Sequence, residues 1–378
     1  MGGVKEMEIV ATVDGRRCHR ALHIEGRKVS WLTVIDYHQR IGSAVVRMGG
    51  IAGVGTEPSE RMKGYSRRVI EDTVRYMYEQ GFDVSWLFGI RDFYPKFGYA
   101  VCAAATSITM ATRDAERARD AVGDFKIRPY NEEDLDALIS LYNYANRSRT
   151  GTIVREKPYF SGISKGSRWG VSANVIVVTD EMGRFVGYAA YDQNETEVIV
   201  TEIESRNPLA YPNLLYEFAK LAIDRRAGSI TLLMPVDHPF AVFCRRYECS
   251  VTINYHRCGG AMGRIVNLRT TLDKIAGELC ERLSTSPYRN ANTCLWICTD
   301  IGEVALELAN GRVAIREACN HGNCVQLPQS KLCQLIFGYR PAEDLLTERD
   351  VVFSGDALGI LQALFPPQNT YVWAADHF

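Results

Sequence analysis

The chain has 378 residues, room for two or three domains, and its 24% charged and 46% hydrophobic content is ordinary for a globular protein. Its 44 basic and 45 acidic residues leave a net charge of −1, which makes no case for nucleic acid or an anionic membrane surface as a partner. No run approaches the roughly 18 apolar residues of a membrane span, and the start lacks an apolar signal region, so a cytoplasmic protein is expected.

Residues 3–56 read mostly as strand, with β-branched and aromatic side chains concentrated in 29–37 and 43–47 and turns at Gly26 and Gly42. A glycine-punctuated strand ends near Val54-Gly55-Thr56, and Pro58 opens the turn after it. Arg61-Met62-Lys63-Gly64-Tyr65-Ser66-Arg67 then leads into a helix over 66–80, where Val69, Ile70, Thr73, Val74 and Met77 recur at helical spacing before Gly81. Such a turn collects unpaired backbone N–H groups at the positive end of a helix dipole, an anion site, and Gly64 lets the backbone approach a bulky phosphate. Arg61, Lys63, Arg67 and Arg68 add positive charge. Residues 84–88 read as a short buried strand, so strand, helix and strand imply a parallel pair with a right-handed crossover. Phe93-Tyr94-Pro95-Lys96-Phe97-Gly98-Tyr99 comes next.

Residues 111–123 are charged and short of large apolar side chains, and are read as a boundary. A second unit starts near Phe125, with a strand and helix to about Tyr142, strands at 175–178, 185–191 and 198–203, a helix at 214–225 and a strand at 230–234. From about Gly260 the pattern changes: a helix at 268–283, strands at 293–299, 303–308 and 312–317, and helices at 331–337 and 356–364.

The stretch Val54 to Gly64 resembles the V-x-x-x-P-x-x-R-x-x-G pyrophosphate loop of GNAT-superfamily N-acetyltransferases, with Ser66 in the last small-residue place of that loop. Phe93 to Tyr99 resembles the F-Y-x-x-F-G-Y segment after the fifth strand of that family. The two pieces stand in order, about 30 residues apart across one helix and one strand, which makes them more specific together than apart. Residues 205–212, with two prolines and no glycine, stand where a second such loop would be, and Cys244 stands where Tyr94 does, so the second copy is not expected to bind coenzyme A. Leu335-Ile336-Phe337-Gly338-Tyr339-Arg340 and Leu364-Phe365-Pro366 look like the sterol-carrier-protein-like tail of the enhanced-intracellular-survival (Eis-like) branch. The resemblance implies an α/β (α+β) fold of two tandem GNAT-like domains with mixed sheets, 1–122 catalytic and 123–259 degenerate, followed by a sterol-carrier-like α+β domain over 260–378.

It also implies an acetyl-CoA-dependent N-acetyltransferase acting on a primary amine of a small molecule, and a homo-oligomer, by resemblance a hexamer. Val54, Gly55, Thr56, Arg61, Met62, Lys63, Gly64, Tyr65, Ser66 and Arg67 would hold the cofactor, with the Val54 N–H as oxyanion donor. Tyr94 would act as the acid, with Tyr99 as its competitor, and the carboxylate of the terminal Phe378 as the base, with Asp376 or His377 as substitutes. A phenol of pKa about 10 facing a thiol near 8.5 transfers its proton uphill, so Tyr94 needs a lowered pKa or acts as a hydrogen-bond donor. Two departures bear on the acceptor: no room exists for the two helices that usually roof the substrate, and the tail carries few acids for a polycationic aminoglycoside. The rival reading is a non-catalytic acyl-CoA or lipid-binding protein using the last domain.

Eleven cysteines, an odd number, are expected to be reduced thiols. Cys244/Cys249, Cys294/Cys298 and Cys319/Cys324 fall within the loose spacing that zinc sites allow, but none is a tight C-x-x-C or is followed by a second Cys or His pair at the usual interval, and His19 and His23, four apart on a strand, lie about 13 Å apart, so no metal is expected. Gly2 could be a myristoylation glycine, but Glu6 stands where Ser or Thr is required.

Overall fold

The computed structural model describes residues 6–317 and 322–378. Gly2 and Cys319, and with them the lipidation site and one cysteine pair, lie outside the described residues. In chain order the elements are β1 (Met7–Asp14), β2 (Arg17–Ile24), β3 (Arg27–Ile41), β4 (Ala44–Thr56), α1 (Tyr65–Glu79), β5 (Val84–Gly89), β6 (Ala100–Val101), β7 (Ala105–Ala111) and α2 (Thr112–Glu116). Then come β8 (Lys126–Pro129), α3 (Leu135–Ala145), β9 (Ala173–Thr179), β10 (Phe185–Asp192), β11 (Val198–Ser205), α4 (Tyr211–Asp224), β12 (Ser229–Leu232), α5 (Pro239–Cys244) and β13 (Ser250–Asn254). The remainder is β14 (Gly260–Ile265), α6 (Leu268–Ser284), β15 (Thr293–Thr299), β16 (Gly302–Ala309), β17 (Arg312–Arg316), β18 (Asn323–Gln326), α7 (Gln329–Ile336), β19 (Val352–Ser354) and α8 (Ala357–Leu364).

The strands form three mixed sheets, ordered β1-β2-β3-β4-β5-β14-β6, β13-β7-β12-β11-β10-β9-β8 and β17-β16-β15-β18-β19. The chain divides into two compact units that do not follow chain order. One comprises residues 1–103, 256–370 and Phe378, and holds the first and third sheets; the other comprises 104–255 and 371–377.

In the first unit β1 to β4 form an antiparallel meander turning at Gly15, Gly26 and Gly42, each at positive φ, where a glycine is unstrained. α1 carries the chain to β5, which pairs in parallel with β4. Val69, Ile70 and Met77 of α1 are fully buried against Leu22, Leu32, Val34 and Ile51. At roughly 1.5–3 kcal/mol per buried side chain these three contribute about 4.5–9 kcal/mol of gross docking energy. Gly49 is required under the helix, since a Cβ there would lie 2.4 Å from the Met77 sulfur. On the other face Phe337, at the end of α7, meets Trp86 of β5 edge-on at 4.9 Å, and α6 packs on β4. In the third sheet Leu295, Ile297, Val304, Leu306 and Leu308 are all fully buried, with α6 and α8 packed together beside them.

The second unit repeats the motif: β11, α4 and β12 form a parallel strand–helix–strand pair around Leu214, Leu215, Phe218 and Ala222. Residues 111–123 are not a free linker there. They form α2 and a 3-10 turn, and Ala115 and Ala118 are fully buried in this core, small enough for close approach to α4. Among the described residues nine cysteines are free thiols, but Cys294 is disulfide-bonded, which departs from the fully reduced expectation.

Candidate active site

The β4–β5 register runs from Met48↔Val84 to Ile51↔Leu87 and stops there, although β4 continues to Thr56. Residues 52–56 keep only their β3 partners, so the two parallel strands part and leave one edge of β4 facing a gap. The parting coincides with a bulge. Between the Thr33↔Ala52 and Trp31↔Gly55 pairs, β4 has one more residue than β3, and Gly53 takes a left-handed φ of 59°. A glycine-led bulge of this kind bends a strand and re-aims the residue after it, here Val54. Gly55 is required for space, since its Cβ would lie 2.6 Å from the Trp31 ring.

Beyond Thr56 a 3-10 turn, Pro58–Glu60, leads to the start of α1. Met62 has φ 64° and Gly64 φ 81°, so the chain turns twice through left-handed conformations before the helix. Gly64 is the N-cap and has no side chain to bond the first-turn N–H groups, and no acidic residue lies in that turn. The uncapped N-terminus of this 15-residue helix leaves backbone N–H groups unpaired at the positive end of its dipole. Met62 is fully exposed and Tyr65 and Ser66 are half-buried, so the loop presents backbone rather than side chains at its tip.

The cations are not equivalent. Arg61 and Arg67 are exposed and make no ion pair among the described residues. Lys63 donates to the buried Glu60 at 2.9 Å, and Arg27 reaches the same carboxylate. These partners, Lys63 foremost, hold the Glu60 carboxyl below its usual range. Lys63 therefore braces the loop as well as charging it. A chain of hydroxyls that sequence spacing could not show ties strand to helix: Ser30 Oγ donates to the Gly55 carbonyl at 3.0 Å and lies 2.8 Å from Thr56 Oγ1, which lies 2.6 Å from Ser66 Oγ.

Tyr94 opens the 3-10 turn Tyr94–Phe97 just after β5, and is buried. A Cβ at Gly89 would sit 2.5 Å from its ring, so the last residue of β5 has to be small. Burial raises the Tyr94 pKa, the opposite of the lowering that a strong acid would need. Its hydroxyl has no hydrogen-bond partner among the described residues. Tyr99 differs: its hydroxyl lies 2.8 Å from Ser85 Oγ, which donates to the Gly49 carbonyl at 2.7 Å, so the Tyr99 proton is used inside the sheet. Tyr99 is also fully buried, and burial pushes its pKa far up.

The ring of Phe378 lies on the opposite face of the same strands. It sits 5.3 Å from Tyr37 of β3 and 5.5 Å from Phe88 of β5, over Gly50 of β4, where a Cβ would come within 2.9 Å. Phe88 and Gly89 are consecutive, so their side-chain directions alternate: one meets Phe378 and the next meets Tyr94. Asp376 is buried and both its oxygens are bonded, to Arg155 at 2.9 and 3.0 Å and to the Tyr142 hydroxyl at 2.9 Å. The His377 ring bonds the Val372 carbonyl at 3.2 Å, and burial lowers its pKa, favouring the neutral ring.

In the second unit the corresponding turn is closed. Asn207 caps it with its own side chain, accepting from Leu209 N at 3.0 Å, and prolines stand at 208 and 212. Cys244, in the place of Tyr94, is buried among apolar residues that push its thiol far up. Among the described residues no group of three or more His, Cys, Asp or Glu is placed to hold a metal ion, and no helix is long and apolar enough to cross a membrane.

Residues 9–102, from β1 to just past β6, match the family described as acetyltransferase (GNAT) domain. The fold as a whole is similar to that of a GCN5-related N-acetyltransferase from Kribbella flavida, with TM-score 0.73 at 17% identity over 95% of this chain and 87% of that one. It is similar also to a GCN5-related N-acetyltransferase from Anabaena variabilis, with TM-score 0.72 at 19% identity over 95% and 89%. Eis1 from Mycobacterium abscessus aligns with TM-score 0.66 at 16% identity over 96% and 91%. No curated protein matches the chain in sequence. Residues 9–102 thus match the GNAT domain family, and the mixed α+β fold is similar along nearly the whole chain to those of solved GCN5-related N-acetyltransferases.

Proposed function

We propose that the protein is an acetyl-CoA-dependent N-acetyltransferase whose acceptor is a primary amine of a small molecule. The observation that carries this is the parting of β4 from β5 after Ile51↔Leu87, directly before the glycine-capped start of α1. The residues fit the donor in two ways. The uncapped first turn with Met62, Gly64, Tyr65, Ser66 and Arg67 suits a pyrophosphate, with Arg61 and Arg67 free to neutralise it. The unpartnered edge of β4 at Val54, Gly55 and Thr56 suits an extended pantetheine arm, which would pair as an added strand does.

The chemistry divides between the faces of the sheet. The Phe378 carboxylate would hold the incoming ammonium and take its proton, leaving a neutral amine to attack the thioester carbon. The Val54 N–H would stabilise the tetrahedral oxyanion, and collapse would expel the thiolate, which takes up the second proton that the nitrogen loses on becoming an amide. Tyr94 would meet that thiolate with its hydroxyl proton. Because burial raises its pKa, Tyr94 serves as a hydrogen-bond donor that stabilises the leaving sulfur more than as an acid that ends ionised. Since both Asp376 oxygens are already bonded, to Arg155 and Tyr142, the tail offers the acceptor a single open carboxylate, which favours a monoamine over a polycation.

The test is thiol release from acetyl-CoA with a panel of primary amines, using protein with an unmodified C-terminus. Transfer that drops in Tyr94→Phe while acetyl-CoA affinity holds supports the reading. Binding of acetyl-CoA with no transfer to any amine would leave a non-catalytic acyl-CoA-binding protein in its place.

A further inference from the structure

The first unit has a second concave site, near the opposite end of α1 from the glycine-capped turn. The turn between β1 and β2, the middle of β3, the start of β4 and the last turn of α1 enclose a cavity of about 140 Å³. Tyr76, which lines it, stands eleven residues along α1 from Tyr65, about 16 Å at 1.5 Å per residue. Val13, Val34 and Phe82 are its apolar walls, and Val13, 68% exposed, marks where it opens to solvent. An apolar cavity of about 150 Å³ holds a benzene ring, so this one has room for a body of that size.

The polar groups around it are unevenly charged. Three arginines, Arg16, Arg17 and Arg47, line the cavity with a single carboxylate, that of Asp36. Asp36 is already engaged: Arg47 donates to it through Nε at 3.1 and 3.2 Å and through Nη2 at 2.8 Å. Arg47 is fixed in turn, donating also to the Gln80 carbonyl, with its guanidinium 4.1 Å from the Phe82 ring. Arg17 is exposed and makes no ion pair among the described residues, and Arg16, beside it in the turn, is half-buried. Tyr76 and Cys18 are hydrogen-bonded to each other, and burial foremost pushes the phenol up to about 12, so it stays neutral. Arg20 lies 4.5 Å from the Tyr76 ring and bonds Asp72, while its buried Nε–H has no partner among the described residues. The wall therefore offers cationic donors in excess of its carboxylate.

Such a lining suits an anion with an apolar body. A cation would meet three guanidinium groups, and a neutral ring would desolvate donors without replacing their bonds to water. Inorganic phosphate would leave the apolar walls uncovered. A carboxylate accepts from a guanidinium fork through charge-assisted bonds, the stronger kind, and can carry a ring of the right size.

We propose that this cavity is a binding site for a small carboxylate with an apolar body of about benzene size, the ring against Val34 and Phe82 and the carboxylate at Arg16 and Arg17. The site lies wholly within the first unit and does not rest on the acetyltransferase reading.

Calorimetric titration of the full chain with benzoate tests it, beside acetate, which has the charge without the ring, and benzyl alcohol, which has the ring without the charge. Benzoate should bind one per chain at about 1 mM or tighter, and each partial probe at least about tenfold more weakly. Arg16→Gln combined with Arg17→Gln alters a surface turn, so the fold should be retained, which thermal melting checks; benzoate affinity should fall about tenfold or more. In Gly64→Glu benzoate affinity should be unchanged, because the start of α1 is a different site. Absence of saturable benzoate binding, equal affinity for acetate or benzyl alcohol, an unchanged affinity in the arginine double variant, or a loss in Gly64→Glu would each overturn the proposal.

Discussion

The two strand–turn–helix crossings of this chain share a backbone plan and differ in what stands at the turn. Both β4 and β11 bulge and part from their parallel neighbour. After β4 the helix begins at a glycine, with no side-chain cap. After β11 Asn207 supplies an acceptor of its own and prolines remove donors. The free end of β4 carries Val54, Gly55 and Thr56, while β11 carries two buried glutamates bonded within its own unit. One fold therefore yields an uncapped helix start or a capped, filled turn, according to a handful of side chains. The sheet supplies the gap, and the residues at the rim decide what enters it.

The comparison can be broken at the reacting end. Deleting Phe378 should lower turnover by about 100-fold or more, the contribution of a positioned base, with acetyl-CoA affinity retained; full activity in the deletion would exclude the carboxylate. Tyr94→Phe should cost less, about tenfold in kcat, because the buried phenol donates a hydrogen bond without ending ionised. Burial also sets the sign of the pH dependence. A pKa raised by burial keeps Tyr94 protonated beyond its ordinary value of about 10, so no loss of rate from its ionisation should occur below about pH 10. A falling limb near pH 8–9 that disappears in Tyr94→Phe would mean that the phenol is acidified.

Smaller effects sharpen the difference between the two rims. Thr56→Val removes the hydroxyl that joins Ser30 to Ser66 and should weaken acetyl-CoA binding by about 1 kcal/mol, roughly fivefold, as calorimetry would show. Asn207→Ala should lower folding stability by about 1 kcal/mol in a denaturant titration, while acetyl-CoA affinity stays the same, because that cap belongs to the filled copy.

Local features of the site were legible in the sequence. The helix over 66–80 and the strand at 84–88 come from periodicity, and Gly64, Pro58 and Phe93 to Tyr99 fall where the resemblance puts them. Two kinds of feature escaped. β7 and β13 pair with each other across more than 100 residues, and β13, exposed throughout, shows no buried period to read. Long-range polar contacts leave no spacing to read either: Arg155 meets Glu202 47 residues away and Asp376 221 residues away. Asp376 could thus look like a candidate base until its partners were known. The Gly53 bulge left only a glycine among several in one strand. The motif favours Tyr94 over Tyr99, and no spacing could show that Ser85 engages the hydroxyl of Tyr99 and not that of Tyr94.

The central claim is that the acyl donor binds at the start of α1 and nowhere in the second copy. Calorimetric titration of the untagged protein with acetyl-CoA tests it most directly, repeated on Gly64→Glu, which places a negative charge and a strained side chain at a left-handed position of φ 81°. One molecule should bind per chain in the wild type, and binding should be at least about 100-fold weaker in the variant. Two molecules per chain, or binding that survives Gly64→Glu, would contradict it.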